Sequence, residues 1–260
     1  MATKLHFIPE ALKIYKLLNF QPTKICQTRF VGGCVRDIIL SETIKDIDLA
    51  SVLHPQQIID ILEAEKIEIY KTAINFGVVT AIINKIQFEI TTLRQDLFPD
   101  GRYAQVQFTD DWDLDANRRD FTINSIYCSW KNFEDQKIEF WDPFGGIQDL
   151  KEGRIKFISN PKISIKEDYV RALRYFRFFF KYSKITHDPN ILSLIFENKK
   201  DIKNISKPRL KKELKKILLI SNSKQILDNK EILDFFVFVY PGFDEILNAG
   251  WQKAIKFLDN

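Results

Sequence analysis

Prolines at 161, 189, 208 and 241 punctuate the chain beyond residue 150, and the segments between them read as helices. Proline is tolerated in the first turn of a helix and breaks its interior, so this spacing predicts a run of helices from about Ile163 onward. The first 150 residues read differently. Ile8, Leu12, Tyr15 and Leu18 share one helical face. Short apolar runs predict strands at 27–31, 46–50, 67–74, 77–83, 86–92 and 137–141, with a hairpin turn at Asn84-Lys85. A helix starts at Gly32-Gly33, another runs from His54-Pro55 to about Ile61, and a third is expected over 121–128. Segment 95–117 is polar and reads as one long loop. The expected fold class is therefore α+β: a mixed β-sheet with helices over 1–150, then an all-α domain over 151–260.

Charge divides at the same place. Residues 1–150 hold 16 Lys+Arg against 22 Asp+Glu, a net of −6; residues 151–260 hold 23 against 13, a net of +10. An acidic part suits metal and nucleotide chemistry and a basic part suits a polyanion, although Lys-rich helices can also be simply solvated. Cys26, Cys34 and Cys128 show no CxxC pairing and no zinc-like spacing, which implies reduced thiols and a cytoplasmic setting. No leader with a cleavage site and no membrane-spanning run is read, so no membrane partner is expected.

The chemistry starts at Val31-Gly32-Gly33-Cys34-Val35-Arg36-Asp37 and Asp46-Ile47-Asp48. A strand-to-helix turn with two glycines lets backbone N–H groups approach a polyphosphate. Side chains two apart on a strand point to one face, so Asp46 and Asp48 crowd together, and Mg²⁺ is the ordinary counter-charge at a phosphate site. A solvated strand edge would carry the same pair. Glu89, in Phe88-Glu89-Ile90, alternates away from its apolar neighbours; it is the candidate third carboxylate or an exposed strand residue. No Cys-His or Ser-His-Asp arrangement is evident, so catalysis would rest on positioning and electrostatics.

These motifs, with Arg118-Arg119-Asp120-Phe121-Thr122-Ile123-Asn124 and Glu167-Asp168-Tyr169-Val170-Arg171, occur in an order that resembles one family. The chain looks like the class II tRNA nucleotidyltransferases (CCA-adding enzymes) and bacterial poly(A) polymerases, within the DNA polymerase β nucleotidyltransferase superfamily. The resemblance implies a polymerase β-like catalytic head over 1–150 and a neck and body over 151–260 that bind RNA and the nucleotide base. It implies that Gly32 and Gly33 hold the triphosphate, that Arg36, between the two motifs, also binds the nucleotide, and that Asp46 and Asp48 bind catalytic Mg²⁺. Arg119 then contacts the nucleotide, Asn124 sits near its sugar, and Asp168 with Arg171 templates the incoming base, Arg174 sharing the helix face. Asp142-Pro143-Phe144-Gly145-Gly146 resembles the family's hinge, and Asp100-Gly101-Arg102 its substrate-switching loop, where Arg102 is the residue to test.

Implied partners are the tRNA 3′ end, ATP and CTP. Lys207, Arg209, Lys211, Lys212 and Lys215 are candidates for the RNA backbone. Family members carry a longer helical body, so a shortened one, with a second polypeptide supplying tRNA anchorage, is a further expectation. Addition of A alone, CC alone or poly(A), and a non-catalytic RNA-binding protein, stand as alternatives to CCA addition.

Overall fold

The computed structural model of the protein describes residues 8–19, 26–44, 46–96, 106–132, 137–220 and 225–248. The chain divides into two compact units, residues 1–151 and 152–260.

In the first unit, a seven-stranded sheet has the order β3-β4-β5-β2-β1-β8-β9. The strands are β1 (Thr28–Val31), β2 (Ile47–Ser51), β3 (Glu68–Ala73), β4 (Val78–Ile83), β5 (Ile86–Thr92), β8 (Tyr127–Asn132) and β9 (Lys137–Trp141). The central pair β2–β5 is parallel and the other pairings are antiparallel. A separate two-stranded ribbon joins β6 (Arg94–Asp96) to β7 (Val106–Phe108). The β4–β5 hairpin turns at Asn84 and Lys85, both at positive φ (50° and 69°).

Period-two alternation sorts the side chains of the central strands onto two faces. Phe30, Ile47, Leu49, Phe88, Ile90, Cys128 and Trp130 face the helices α1 (Pro9–Asn19), α2 (Gly33–Leu40) and α3 (Pro55–Ala64), which contribute Ile14, Leu18, Val35, Ile38, Ile58 and Leu62 to the main core. Tyr15 stacks on Phe30 and meets Trp130 edge-on, with ring centroids 5.5 and 4.9 Å apart. Their in-between neighbours Val31, Ala50 and Tyr127 turn to the other face, where Ala116, Leu93, Trp112 and Trp141 pack. Asp48 has the parity of Ala50, so the alternation that buries Ile47 and Leu49 delivers its carboxylate to this second face.

Two stretches differ from expectation. Residues 121–128 are not a helix: a short 3-10 turn, Thr122–Asn124, leads into β8. Every residue from Phe121 to Trp130 is buried, so the run shows neither helical nor strand periodicity. Segment 95–117 is not one loop either. It holds β6, β7 and α4 (Trp112–Asn117), whose N-terminus is capped by Asp111, accepting from the N–H groups of Asp113 and Leu114 at 2.8 and 3.3 Å.

The second unit is helical among its described residues: α6 (Pro161–Glu167), α7 (Val170–Tyr182), α8 (Pro189–Glu197), α9 (Lys199–Lys203), α10 (Lys207–Leu218), α11 (Gln225–Asp228), α12 (Lys230–Val239) and α13 (Phe243–Asn248). Pro161, Pro189 and Pro208 each sit in a first turn, as their missing N–H requires. Asn160, Asp188 and Asn229 cap α6, α8 and α12 with side-chain oxygens. The core is aromatic. Phe176 lies 5.1 Å from Phe236, which stacks on Phe243 at 4.9 Å. Truncating Phe176 to Ala would cost about 3–5 kcal/mol.

Candidate active site

Between the end of β1 at Val31 and the start of α2 at Gly33 the chain turns on a single residue, Gly32. Its φ of 74° lies in the left-handed region, which costs L-residues ~1–2 kcal/mol. A Cβ placed there would stand 3.2 Å from Asp48 Oδ2. The Asp48 carboxylate thus rests against the backbone of the diglycine turn. Register accounts for this: Val31 pairs with Asp48 across β1–β2, and Glu89 stands opposite Asp48 across β2–β5. Asp46 lies just ahead of β2 and is exposed. Burial and the charge of Glu89 push the Asp48 carboxyl up to about 6; Arg119 opposes that rise, Asp46 adds to it and Arg36 opposes it.

A carboxylate so placed calls for a cation. Among the described residues, no three His, Cys, Asp or Glu side chains are gathered into a ready metal cage. Glu89, the candidate third carboxylate, is the cross-strand neighbour of Asp48, and its charge acts on the Asp48 carboxyl. Mg²⁺ usually takes one or two carboxylates and completes its octahedron with water and substrate phosphates. The Asp48 carboxylate, beside the Gly32 backbone and within reach of the charge of Asp46, fits that donor pattern.

The arginines are held from below by a residue the motif reading passed over. Asp115, on α4, is completely buried. Its Oδ1 accepts from Arg118 Nε and Nη2 at 2.9 and 2.5 Å. Its Oδ2 accepts from Arg119 Nε and Nη2 at 3.2 and 2.9 Å and from the Tyr127 hydroxyl at 2.7 Å. Arg119 Nε also donates to Tyr127 Oη at 2.9 Å. Burial would raise the Asp115 carboxyl, but the two guanidiniums outweigh it and hold it well below the usual carboxylate range. Arg119 shows the converse: burial works against its charge and Asp115 more than restores it. The signal was present in the sequence as Asp-x-x-Arg-Arg, the i,i+3 and i,i+4 spacing of helix neighbours.

Arg36 and Asn124, read from sequence as nucleotide contacts, are buried and turned toward each other. Arg36 Nη1 donates to Asn124 Oδ1, and Asn124 Nδ2 donates to Asp120 Oδ1 at 2.7 Å. This brace ties α2 to the 122–124 turn, so both residues shape the site from within. The segment from Asp142 to Asp149 is tied by hydrogen bonds within the first unit. Asp142 accepts from the N–H groups of Gly146 and Ile147 at 2.7 and 2.9 Å, and Asp149, on α5 (Gly146–Glu152), accepts from the Thr122 hydroxyl at 2.7 Å.

In the helical unit, Asp168 and Arg171 do not pair through their side chains. Arg171 Nη1 donates to Glu167 Oε2 and Ser164 Oγ at 2.7 and 2.8 Å. The Asp168 carboxylate instead receives Arg209 Nη2, at 2.9 Å on Oδ1 and 2.8 Å on Oδ2. Arg209, expected among the RNA-backbone cations, thus carries an ion pair with Asp168 on the exposed side of α10. Lys207 and Lys212 are exposed on α10, and Lys211 and Lys215 half-buried. Arg174 is half-buried on α7, its guanidinium 5.8 Å from the Phe178 ring centre. Arg102, with Asp100 and Gly101, lies outside the described residues.

Residues 28–156 match the family model of the poly A polymerase head domain, and residues 185–247 match that of a probable RNA and SrmB-binding site of polymerase A. The human mitochondrial CCA tRNA nucleotidyltransferase 1 is 41% identical over 240 residues, which are 90% of this chain and 52% of that protein. The crystal structure of the Bacillus stearothermophilus CCA-adding enzyme in complex with CTP matches with a TM-score of 0.70 at 26% identity, over 84% of this chain and 50% of that one. A tRNA nucleotidyltransferase complexed with a primer tRNA and an incoming ATP analog matches at a TM-score of 0.66 and 26% identity, over 85% and 62%. The chain spans about half the length of the curated relatives it matches. With the head domain, the RNA-binding region and the motifs in one order, the chain belongs to the family of class II tRNA nucleotidyltransferases and bacterial poly(A) polymerases.

Proposed function

We propose that the chain is a template-independent RNA nucleotidyltransferase that adds CMP and AMP, from CTP and ATP, to the 3′ end of tRNA. The observation that carries the reading is the Asp48 carboxylate lying against the Gly32 turn, 3.2 Å from where a side chain would begin, with Glu89 in register beside it. The names of the relatives, CCA tRNA nucleotidyltransferase and CCA-adding enzyme, support the tRNA substrate.

In this reading, the N–H groups of Gly32 and Gly33 and the N-terminus of α2 receive the triphosphate. Asp46 and Asp48 hold Mg²⁺, which supplies charge neutralisation at the phosphates and a lowered pKa for the attacking 3′-hydroxyl. Arg119, locked by Asp115 and Tyr127, keeps a fixed positive charge near Asp48 to balance the departing pyrophosphate. Asp168 accepts from the exocyclic amine that cytosine and adenine share, and Arg171 donates to a ring acceptor; uracil and guanine offer the opposite pattern. Lys207, Lys211, Lys212 and Lys215 on α10 serve the RNA backbone. The three cysteines are free, which supports a reducing compartment; the cytoplasm is proposed, and none of the described helices is long and apolar enough to cross a membrane.

The test is the product ladder on a tRNA lacking its terminal CCA, with Mg²⁺ and labelled nucleotides. The expected product stops after CCA and needs both CTP and ATP. Long ladders from ATP alone would assign poly(A) synthesis, and bound RNA without incorporation would assign a binding protein; either result would contradict the proposal.

A further inference from the structure

We infer that Arg209 is a positioning residue for Asp168, and through it a determinant of which nucleotide this chain accepts. The inference rests on the reading of Asp168 as the acceptor for the base.

Asp168 follows α6 in an extended conformation (φ −151°, ψ 105°), immediately before α7. Its Oδ1 accepts from the N–H of Val170 at 3.1 Å and from Arg209 Nη2 at 2.9 Å. Among the described residues, its Oδ2 accepts only from Arg209 Nη2, at 2.8 Å. An ionised carboxylate offers about four acceptor directions, two on each oxygen. Both directions on Oδ1 are therefore taken, while Oδ2 keeps one. That one direction is what an exocyclic amine requires, and Val170 N–H and Arg209 together fix where it points.

The pair contributes orientation more than stability. The side chains of Arg209 and Asp168 are 51% and 33% exposed, and exposed ion pairs are worth ~0–1 kcal/mol. Nothing in so exposed a pair is needed to hold α7 on α10, because Leu210, Leu214 and Ile217 are buried on the inner face of α10. A carboxylate torsion is broad and roughly two-fold when nothing pins it. Without Arg209, Asp168 would present its acceptor over a range of directions, and the amine of C or A would lose its advantage over the carbonyl of U or G. Arg171 does not substitute for this role, since its Nη1 is engaged on Glu167 and Ser164. Lysine is a point charge on a flexible stem, so only part of the constraint would survive Arg209→Lys.

The experiment measures equilibrium binding of CTP, ATP, UTP and GTP to the full chain with Mg²⁺ by titration calorimetry, beside tRNA affinity at several salt concentrations. It compares the parent protein, Asp168→Ala, Arg209→Ala, Arg209→Lys and the double Ala variant. The parent should prefer CTP and ATP, and Asp168→Ala should lose the preference. Arg209→Ala should lower it by roughly threefold to tenfold, Arg209→Lys should lie between, and the double variant should match Asp168→Ala. tRNA affinity in Arg209→Ala should stay within about twofold, with an unchanged salt slope. A loss of preference in Asp168→Ala with full preference in Arg209→Ala overturns the inference alone. A fall in tRNA affinity and a salt slope smaller by about one, with preference intact, assigns Arg209 to the RNA backbone and also overturns it. No preference in the parent, or full preference in Asp168→Ala, overturns the reading of Asp168 beneath it. Misfolding would lower all four affinities together and leave their ratios alone.

Discussion

Asp115 and Arg119 stand one helical turn apart, and Arg119 places both Nε and Nη2 on a single oxygen, Asp115 Oδ2, at 3.2 and 2.9 Å. The carboxylate is completely buried and serves Arg118 and Tyr127 as well. Removing one partner of a buried pair leaves an uncompensated charge, at a cost of about 3–5 kcal/mol. Asp115→Ala is expected to lower unfolding stability by that order in a urea titration. Tyr127→Phe, which deletes one hydroxyl from the same network, should cost only ~1 kcal/mol. Equal losses in the two variants would contradict Asp115 as the anchor.

The adjacent glycines 145 and 146 should respond unequally to alanine. A Cβ on Gly146 would lie 2.2 Å from the Thr122 carbonyl oxygen and 2.6 Å from its carbon, both rigid backbone atoms. A Cβ on Gly145 meets nothing within 4 Å, and only its φ of 72° is unfavourable. Gly145→Ala should therefore cost about 1–2 kcal/mol, from backbone strain alone. Gly146→Ala should cost clearly more, because α5 must move away from the 122–124 turn. Thermal unfolding of the two variants checks the order.

His187 gives the helical unit a pH-dependent stability. Its ring stacks 3.4 Å from that of Phe179, Tyr175 Oη lies 3.2 Å from Nδ1, and burial lowers its pKa from 6.5 to about 4. Between those values the unfolded chain takes up a proton that the folded chain does not. The contribution is complete above about pH 6.5 and is lost as pH falls toward 4. The parent should lose stability across that window more steeply than His187→Gln. Since carboxylates titrate in the same range, the difference between the two curves is the measurement. Parallel curves would contradict a neutral His187.

The strands around Asp48 were legible because one of their faces is apolar and the other is not. Phe88 and Ile90 against Glu89, or Ile47 and Leu49 against Asp48, announce a period of two. Helices opened by Pro161, Pro189 and Pro208 were legible because proline restricts them locally. The strand that starts at Tyr127 was not, because every residue from Phe121 to Trp130 is buried and the alternation vanishes. At the site, residue types and order pointed to Gly32, Asp48 and Arg119, because each sits inside a short motif of neighbouring residues. Partnerships across long stretches of chain were hidden. Nothing in the sequence shows that Arg36 is spent on Asn124, 88 residues on, or Arg209 on Asp168, 41 residues back.

The central claim is that Asp48, against the diglycine turn, holds the cation that carries nucleotidyl transfer. Its most direct test is the rate of labelled AMP and CMP incorporation into tRNA lacking CCA by the parent and by Asp48→Asn, with tRNA affinity measured on the same samples. The account predicts a rate lower by roughly a thousandfold or more, equivalent to ~4 kcal/mol, with tRNA binding nearly unchanged. Incorporation by Asp48→Asn at the parent's rate would contradict it.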